Sequence, residues 1–338
     1  MIKKLILVAA ILTLYLQSNA QITSEVYIYK NIPIVIKISS GDPKEVKNIS
    51  DKIFEIITNE LNNYEYNEES YIKNITENAY KKPTKISKDL NMMLGKILYY
   101  HSLTKAVSPT IGYLIDLWGF DEGRFYIPSP KEISNALKIS SVKNLVIYED
   151  TIILKNKKTK FYLKPFAVGL SAEKIRRLLI KEKVENAIIS IGNNFSLCLG
   201  KKNNKKWNVA INKSYNNIEK EEILNIEVSD EAVYTASIYE NAFIDGFKVY
   251  HPIIDPKTGY PADNKTILVT VVHKDPIEAI ILSRALLVMG KDAGIKFSEK
   301  MGIKSLFLTI EDNKTRIYKT SNWIKTFDKD TSQKPYKK

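Results

Sequence analysis

Apolar residues recur along this chain with two periods, and each change of period marks an element. Residues 26–39 alternate apolar and polar around Lys30-Asn31, which predicts an edge hairpin or two short strands. From Pro43 to about Asn62 the positions Val46, Ile49, Ile53, Phe54, Ile57 and Leu61 fall at helical spacing, predicting an amphipathic helix laid over a sheet. A second helix over 87–104 turns Leu90, Leu94, Ile97 and Leu98 inward, and its Met and aromatic residues read as core. Residues 131–137 predict a short helix, and 144–148 with 151–154 a hairpin turning at Glu149-Asp150. Further on, 171–179 predicts a helix with Gly169 just before it, and 187–199 a strand, a turn and a strand. Residues 207–211, 223–228 and 232–237 read as strands of one antiparallel sheet. Residues 266–272 predict a strand and 276–289 a helix, with Gly290 as its C-terminal glycine. This mixture of short strands and separate helices is that of an α+β protein.

Composition narrows the class. At 338 residues and 44% hydrophobic content the chain can bury a large core, and no disordered class fits. The first twenty residues carry Lys3 and Lys4, an apolar run from Leu5 to Leu16, and small residues Ser18 and Ala20 two positions apart. That is the form of a signal peptide cleaved after Ala20, which predicts an exported, periplasmic or envelope-associated protein with no transmembrane span once the segment is removed. The run is shorter than the ~20 residues of a spanning helix, and an uncleaved anchor is the other reading. Cys198 is the single cysteine, so no internal disulfide is expected. The formal charge is +13, or +11 without Lys3 and Lys4, but five of the 51 basic residues are arginine and the lysines are scattered. A nucleic-acid partner is not expected. A Lys-rich tail over 328–338 is expected to be disordered, leaving 21–327 as the folded domain.

The chemistry is organised around residues 251–261, HPIIDPKTGYP. Two β-branched residues run into Asp255-Pro256, where proline sets a turn that Gly259 can close with a positive φ. Read physically this is a hairpin corner. In residues 108–120, SPTIGYLIDLWGF, Trp118 and Phe120 flank a tight bend at Gly119. Arg284 is the sole charge in the apolar stretch 279–289, so it must be paired or reach water.

Together these segments resemble the FAD:protein FMN transferase family, often called ApbE. Asp255, Pro256, Thr258, Gly259 and Pro261 fit its H-I-I-D-P-x-T-G-x-P pattern, and 108–120 fits its P-T-x-G to W-G-F segment. Residues 187–199 resemble its N-I-G-G-N element with Asn193 at the second glycine, where a left-handed turn residue is expected. The resemblance implies a two-lobed, T-fold-like α+β architecture, antiparallel sheets flanked by helices, and a flavin cleft between the lobes. It implies FAD contacts at Ala106, Val107, Ser108, Gly169, Ile253, Thr258 and Arg284, and reactive roles at His251 and Asp255. Gly169 before a helix start is expected to let a ligand phosphate approach. The implied activity is Mg²⁺-assisted transfer of FMN from FAD to a Ser or Thr of an exported redox protein, with release of AMP.

Several positions depart from the family pattern. Its histidine falls at Pro252, with His251 one residue early and pointed by strand alternation to the opposite face unless the proline breaks the register. Tyr162 and Val168 stand where acidic and Lys or Glu residues are usual, and Ser108 also replaces an acid. Ile280 and Arg284 stand where the family has an Asp and a Thr that ligate Mg²⁺; neither side chain can do so. The alternatives are therefore a module that binds a flavin or other dinucleotide without chemistry, and an envelope protein that has lost the ligand. For Arg284 itself the choice lies between a structural pairing and a guanidinium that takes the metal's place on a pyrophosphate.

Overall fold

The computed structural model describes residues 22–39, 42–121, 123–201, 205–215, 219–324 and 326–328. The signal segment expected over 1–20 and nearly all of the basic tail lie outside these residues. Strands β1 (Ile22–Tyr29) and β2 (Ile32–Ser39) form the expected hairpin, with Lys30 and Asn31 at φ 47° and 66°, the paired positive angles of a tight two-residue turn. Helix α1 (Pro43–Tyr64) starts where Asp42 accepts from the Lys44 N–H and proline occupies the first turn, a position that needs no donor. Helix α2 (Tyr71–Lys81) was not expected; α3 (Lys88–Thr104) was. After α4 (Gly112–Trp118), α5 (Pro130–Ile139) begins with a capping box between Ser129 and Glu132.

The large sheet has eight antiparallel strands in the order β1-β2-β6-β7-β10-β13-β14-β15, its later members being β6 (Ala187–Ile191), β7 (Phe195–Leu199), β10 (Ala232–Ser237), β13 (Thr266–His273), β14 (Lys304–Glu311) and β15 (Lys314–Lys319). One face packs Ile34, Ile36, Ile38, Ile189, Ile191 and Val269 against the helices, which include α6 (Lys164–Lys181), α7 (Pro276–Met289) and α8 (Lys291–Met301). On the other face lies a three-stranded sheet in the order β16-β9-β8, formed by β8 (Trp207–Tyr215), β9 (Glu219–Val228) and β16 (Thr326–Asp328). Burial on both faces explains why β10 is apolar or small throughout and why β13 carries almost no alternation. It also divides the three strands read as one sheet: 232–237 joins the large sheet, while 207–211 and 223–228 belong to the small one.

A second lobe forms around Trp118, which is fully buried among Leu114, Ile115, Ile133, Ala136 and Ile254. Beside it β3 (Thr84–Lys85), β5 (Thr151–Leu154) and β4 (Leu145–Tyr148) make a small sheet, and β11 (Phe243–Asp245) pairs with β12 (Lys248–Tyr250). The groove between the lobes is where the sequence motifs meet.

Candidate active-site cleft

The segment 251–261 is held as a turn by its own backbone. The Gly259 N–H donates to the Asp255 carbonyl at 2.8 Å and the Asp255 N–H to the Tyr260 carbonyl at 2.9 Å. Asp255 Oδ1 accepts from the Lys257 N–H at 2.9 Å, and Thr258 Oγ1 from the Tyr260 N–H at 3.3 Å, the usual way a short polar side chain braces a turn. Gly259 has φ 77°, and a Cβ there would lie 2.7 Å from Ile133 Cγ2. The second motif clamps the first: Trp118 Nε1 donates to the Gly259 carbonyl at 3.0 Å. Asp255 and Thr258 thus serve the corner itself, and Thr258 is exposed at its tip.

His251 is 1% exposed and fully engaged. Its Nε2 donates to the Ala262 carbonyl at 3.0 Å while Nδ1 accepts from the Ile253 N–H at 3.3 Å. Burial pushes its pKa down to about 4, a shift opposed by the Ala262 bond and aided by the nearby Arg284 charge. A neutral imidazole with both nitrogens on backbone groups is a latch of the hairpin. This corrects the reactive role expected for His251, which has no nitrogen free to accept a proton from a hydroxyl.

Ala106, Val107, Ser108, Ile253 and Arg284 do come together, with Tyr162, Phe166 and Val288, around one cleft. The 106–108 backbone is set by the end of α3, where His101 Nδ1 donates to the Val107 carbonyl at 2.7 Å and the Ala106 N–H donates to Thr104 Oγ1. Ser108 Oγ lies 3.1 Å from Thr110 Oγ1. Arg284 projects from α7 and is 7% exposed; its Nη2 donates to the Pro252 carbonyl at 3.3 Å. The Tyr234 hydroxyl and the Glu240 carboxyl group lie within electrostatic reach of the guanidinium, and among the described residues no carboxylate oxygen approaches it within ion-pair distance. Asn194 Nδ2 donates to Glu240 at 2.7 Å. Burial raises the Glu240 pKa to about 7 against the opposing effects of Asn194 and Arg284. The Tyr162 hydroxyl has no hydrogen-bond partner among the described residues, and burial raises its pKa strongly.

These groups do not suit a divalent ion. Ile280 is fully buried in the apolar core, Arg284 is a permanent cation, and no cluster of three His, Cys, Asp or Glu side chains exists among the described residues. An anion suits them better, because a guanidinium and the Ser108 and Tyr162 hydroxyls, all able to donate, line the cleft and no carboxylate does so among the described residues. The free space between the side chains is about 20 Å³, little more than one water occupies. A dinucleotide therefore enters only as Tyr162, Arg284 or their neighbours swing aside.

Gly169 is corrected outright. Helix α6 starts at Lys164, with proline in its first turn, so Gly169 sits inside the helix and not before it. A Cβ there would meet Ile277 Cα at 2.7 Å and the Pro276 carbonyl at 2.9 Å; the glycine lets α6 and α7 touch. Nor does Asn193 adopt the left-handed conformation expected of it: Gly192, at φ 64°, takes that role. Sequence reasoning missed Tyr234 and Glu240, whose only signal was a phenol within a strand that also carries Thr235 and Ser237, and an acid just beyond it.

The model of the ApbE family matches residues 23–307. A FAD:protein FMN transferase of Vibrio cholerae is 26% identical over 297 residues, 87% of this chain and 88% of that protein. One from Buchnera aphidicola subsp. Schizaphis graminum is 32% identical over 188 residues, 54% of each. The solved ApbE protein of Thermotoga maritima superposes with a TM-score of 0.79 at 25% identity, covering 89% of this chain and 97% of that one. The flavin transferase ApbE from Vibrio cholerae gives 0.77 at 24% identity over 90% and 98%. The matched motifs, the two-lobed α+β fold and the near-complete coverage establish that this chain belongs to the ApbE family.

Proposed function

We propose that this protein holds FAD, or a closely related flavin dinucleotide, in the cleft between its lobes without Mg²⁺ and without transferring FMN. The observation that carries the reading is Arg284: a nearly fully buried guanidinium whose one backbone bond, to Pro252, is long and whose charge has no carboxylate within ion-pair distance among the described residues. A buried cation in that condition is stabilised by an anion, and a pyrophosphate matches its planar fork. Ala106, Val107 and Ile253 supply apolar walls for a ring system, and Ser108 and Tyr162 supply hydroxyls. In the family reaction a Ser or Thr hydroxyl of the acceptor attacks the FMN-side phosphorus and AMP departs. Here the positions of the metal ligands are Ile280 and Arg284, and the only histidine beside the turn is spent on its backbone. The form of residues 1–20 supports an exported protein in the periplasm or cell envelope.

Two observations favour other readings. Near full-length similarity to FAD:protein FMN transferases favours retained transfer to an exported redox protein, and the closed cleft favours a scaffold that has lost its ligand. Calorimetry with FAD separates the three when AMP is assayed in the same mixture with Mg²⁺ and a Ser/Thr acceptor peptide. Binding without AMP supports the proposal, AMP release restores the enzyme, and no binding leaves the scaffold.

A further inference from the structure

A groove of about 280 Å³ lies on the opposite face of the large sheet from the cleft. The small sheet does not cover that face completely. Leu224, Ile226 and Val228 of β9 pack with Leu268, Val272, Leu306 and Leu308, while Val209 and Ile211 of β8 share the cluster with Ile188, Cys198 and Val233. Among the described residues the covering layer ends at β8, and the outer face of β6, β2 and β1 continues beyond it. Val26 and Ile28 on this face are 65% and 72% exposed. The strand order ends at β8, whose one hydrogen-bonded neighbour among the described residues is β9. The groove runs along that free edge, over Val35, Lys37, Ile188 and Ser190.

We propose that a short extended peptide carrying an acidic residue adds to β8 as a further strand of the small sheet, filling this groove. An unpaired strand edge offers a row of backbone donors and acceptors, which an extended backbone satisfies best. A strand added there lies over β2 and β6 at the normal spacing of packed sheets, about 10 Å, so alternate side chains reach Val35 and Ile188. Among the described residues Lys37 is the one charged residue lining the groove, and no carboxylate lines it; an Asp or Glu of the peptide complements it. The usable edge is short. The register shifts between Ile211 and Asn212, and beyond that bulge Lys213 points inward, 5% exposed, with Nζ 5.2 Å from the Tyr239 ring centroid. Both features discourage pairing, leaving about five residues from Trp207 to Ile211. A second copy of the chain fits poorly, since a two-fold antiparallel β8 pair drives the two large sheets, in the same layer, into one another.

The test pans a phage-displayed library of random octapeptides against the full chain. The proposal expects recovered peptides that alternate apolar and polar residues with an Asp or Glu, and a synthetic copy that slows hydrogen exchange at 207–211. N-methylation of alternate peptide residues, which removes backbone donors and keeps side chains, is expected to weaken binding at least tenfold, and Lys37→Glu about tenfold. Ser190→Tyr, which fills the groove, is expected to abolish it. Peptides indifferent to N-methylation and to both variants, a library that yields none, or protection of 207–211 by self-association alone would each overturn the proposal.

Discussion

Arg284 and Pro252 touch: the guanidinium Nη2 donates to the Pro252 carbonyl at 3.3 Å. Each residue stands where the ApbE pattern of the sequence has something else; Arg284 lines the cleft, and Pro252 directly precedes its lining residue Ile253. The bond ties α7 to the segment that enters the 251–261 turn. Replacing Arg284 by glutamine keeps a donor and removes the charge. FAD affinity is expected to fall ten- to a hundredfold, the worth of a charge-assisted bond to phosphate, while riboflavin, which has no phosphate, is held equally by both proteins. Titration of the two ligands into each variant reads this directly.

His251 makes the fold sensitive to acid. Its folded pKa is depressed to about 4 from an ordinary 6.5, chiefly by burial, so the unfolded chain takes up the proton first. The stability it contributes is complete above pH 6.5 and is lost as the pH falls toward 4, by about 1.4 kcal/mol per unit. Thermal unfolding of the parent protein is expected to drop steeply over that window. The His251→Gln variant, lower at pH 7.5, is expected to show a shallower slope.

Glu240 acts with the opposite sign. Burial raises its folded pKa to about 7 from an ordinary 4.5, so the folded chain holds the proton more tightly than the unfolded one. Its contribution is complete below about pH 4.5 and disappears as the pH rises through 7. Glu240→Gln, which can still accept from Asn194, is expected to be more stable than the parent at pH 8 and about equal at pH 5. A melting-temperature series from pH 5 to 8 tests this, and an equal difference at both ends would contradict it.

Gly169→Ala separates packing from ligand binding. The added Cβ lies 2.7 Å from Ile277 Cα, a contact with backbone that cannot rotate away. Overpacking of this kind costs about 1–3 kcal/mol. Denaturant midpoints are expected to fall accordingly, with FAD affinity of the folded variant unchanged; a selective loss of affinity would return the glycine to the binding site.

Much of the fold was legible because local signals and burial agreed. Helix α1 announces itself through Asp42, Pro43 and a run of isoleucines at helical spacing, and the first hairpin through Lys30-Asn31. Helix α2 was missed although Ser70 caps it and Ile72, Ile75, Thr76 and Ala79 face inward; its asparagines and β-branched residues have weak helical propensity, and tertiary packing decides. The start of α6 is marked by Pro165, a residue suited to a first helical turn, and not by Gly169, whose glycine signal reflects helix packing inside the element. The cleft was half legible. Motifs brought Ala106–Ser108, Ile253 and Arg284 together, but that His251 faces the backbone and that Tyr234 and Glu240 lie within electrostatic reach of Arg284 depend on how β10, α7 and the turn stack, which no local pattern encodes.

The most direct test of the account is calorimetry of FAD binding to the purified protein in EDTA and again in excess Mg²⁺. A guanidinium that does the work of the metal predicts binding of equal strength in both, with no AMP released when an acceptor peptide is present. Affinity that appears only with Mg²⁺, or AMP accumulating in step with flavinylated peptide, would contradict it.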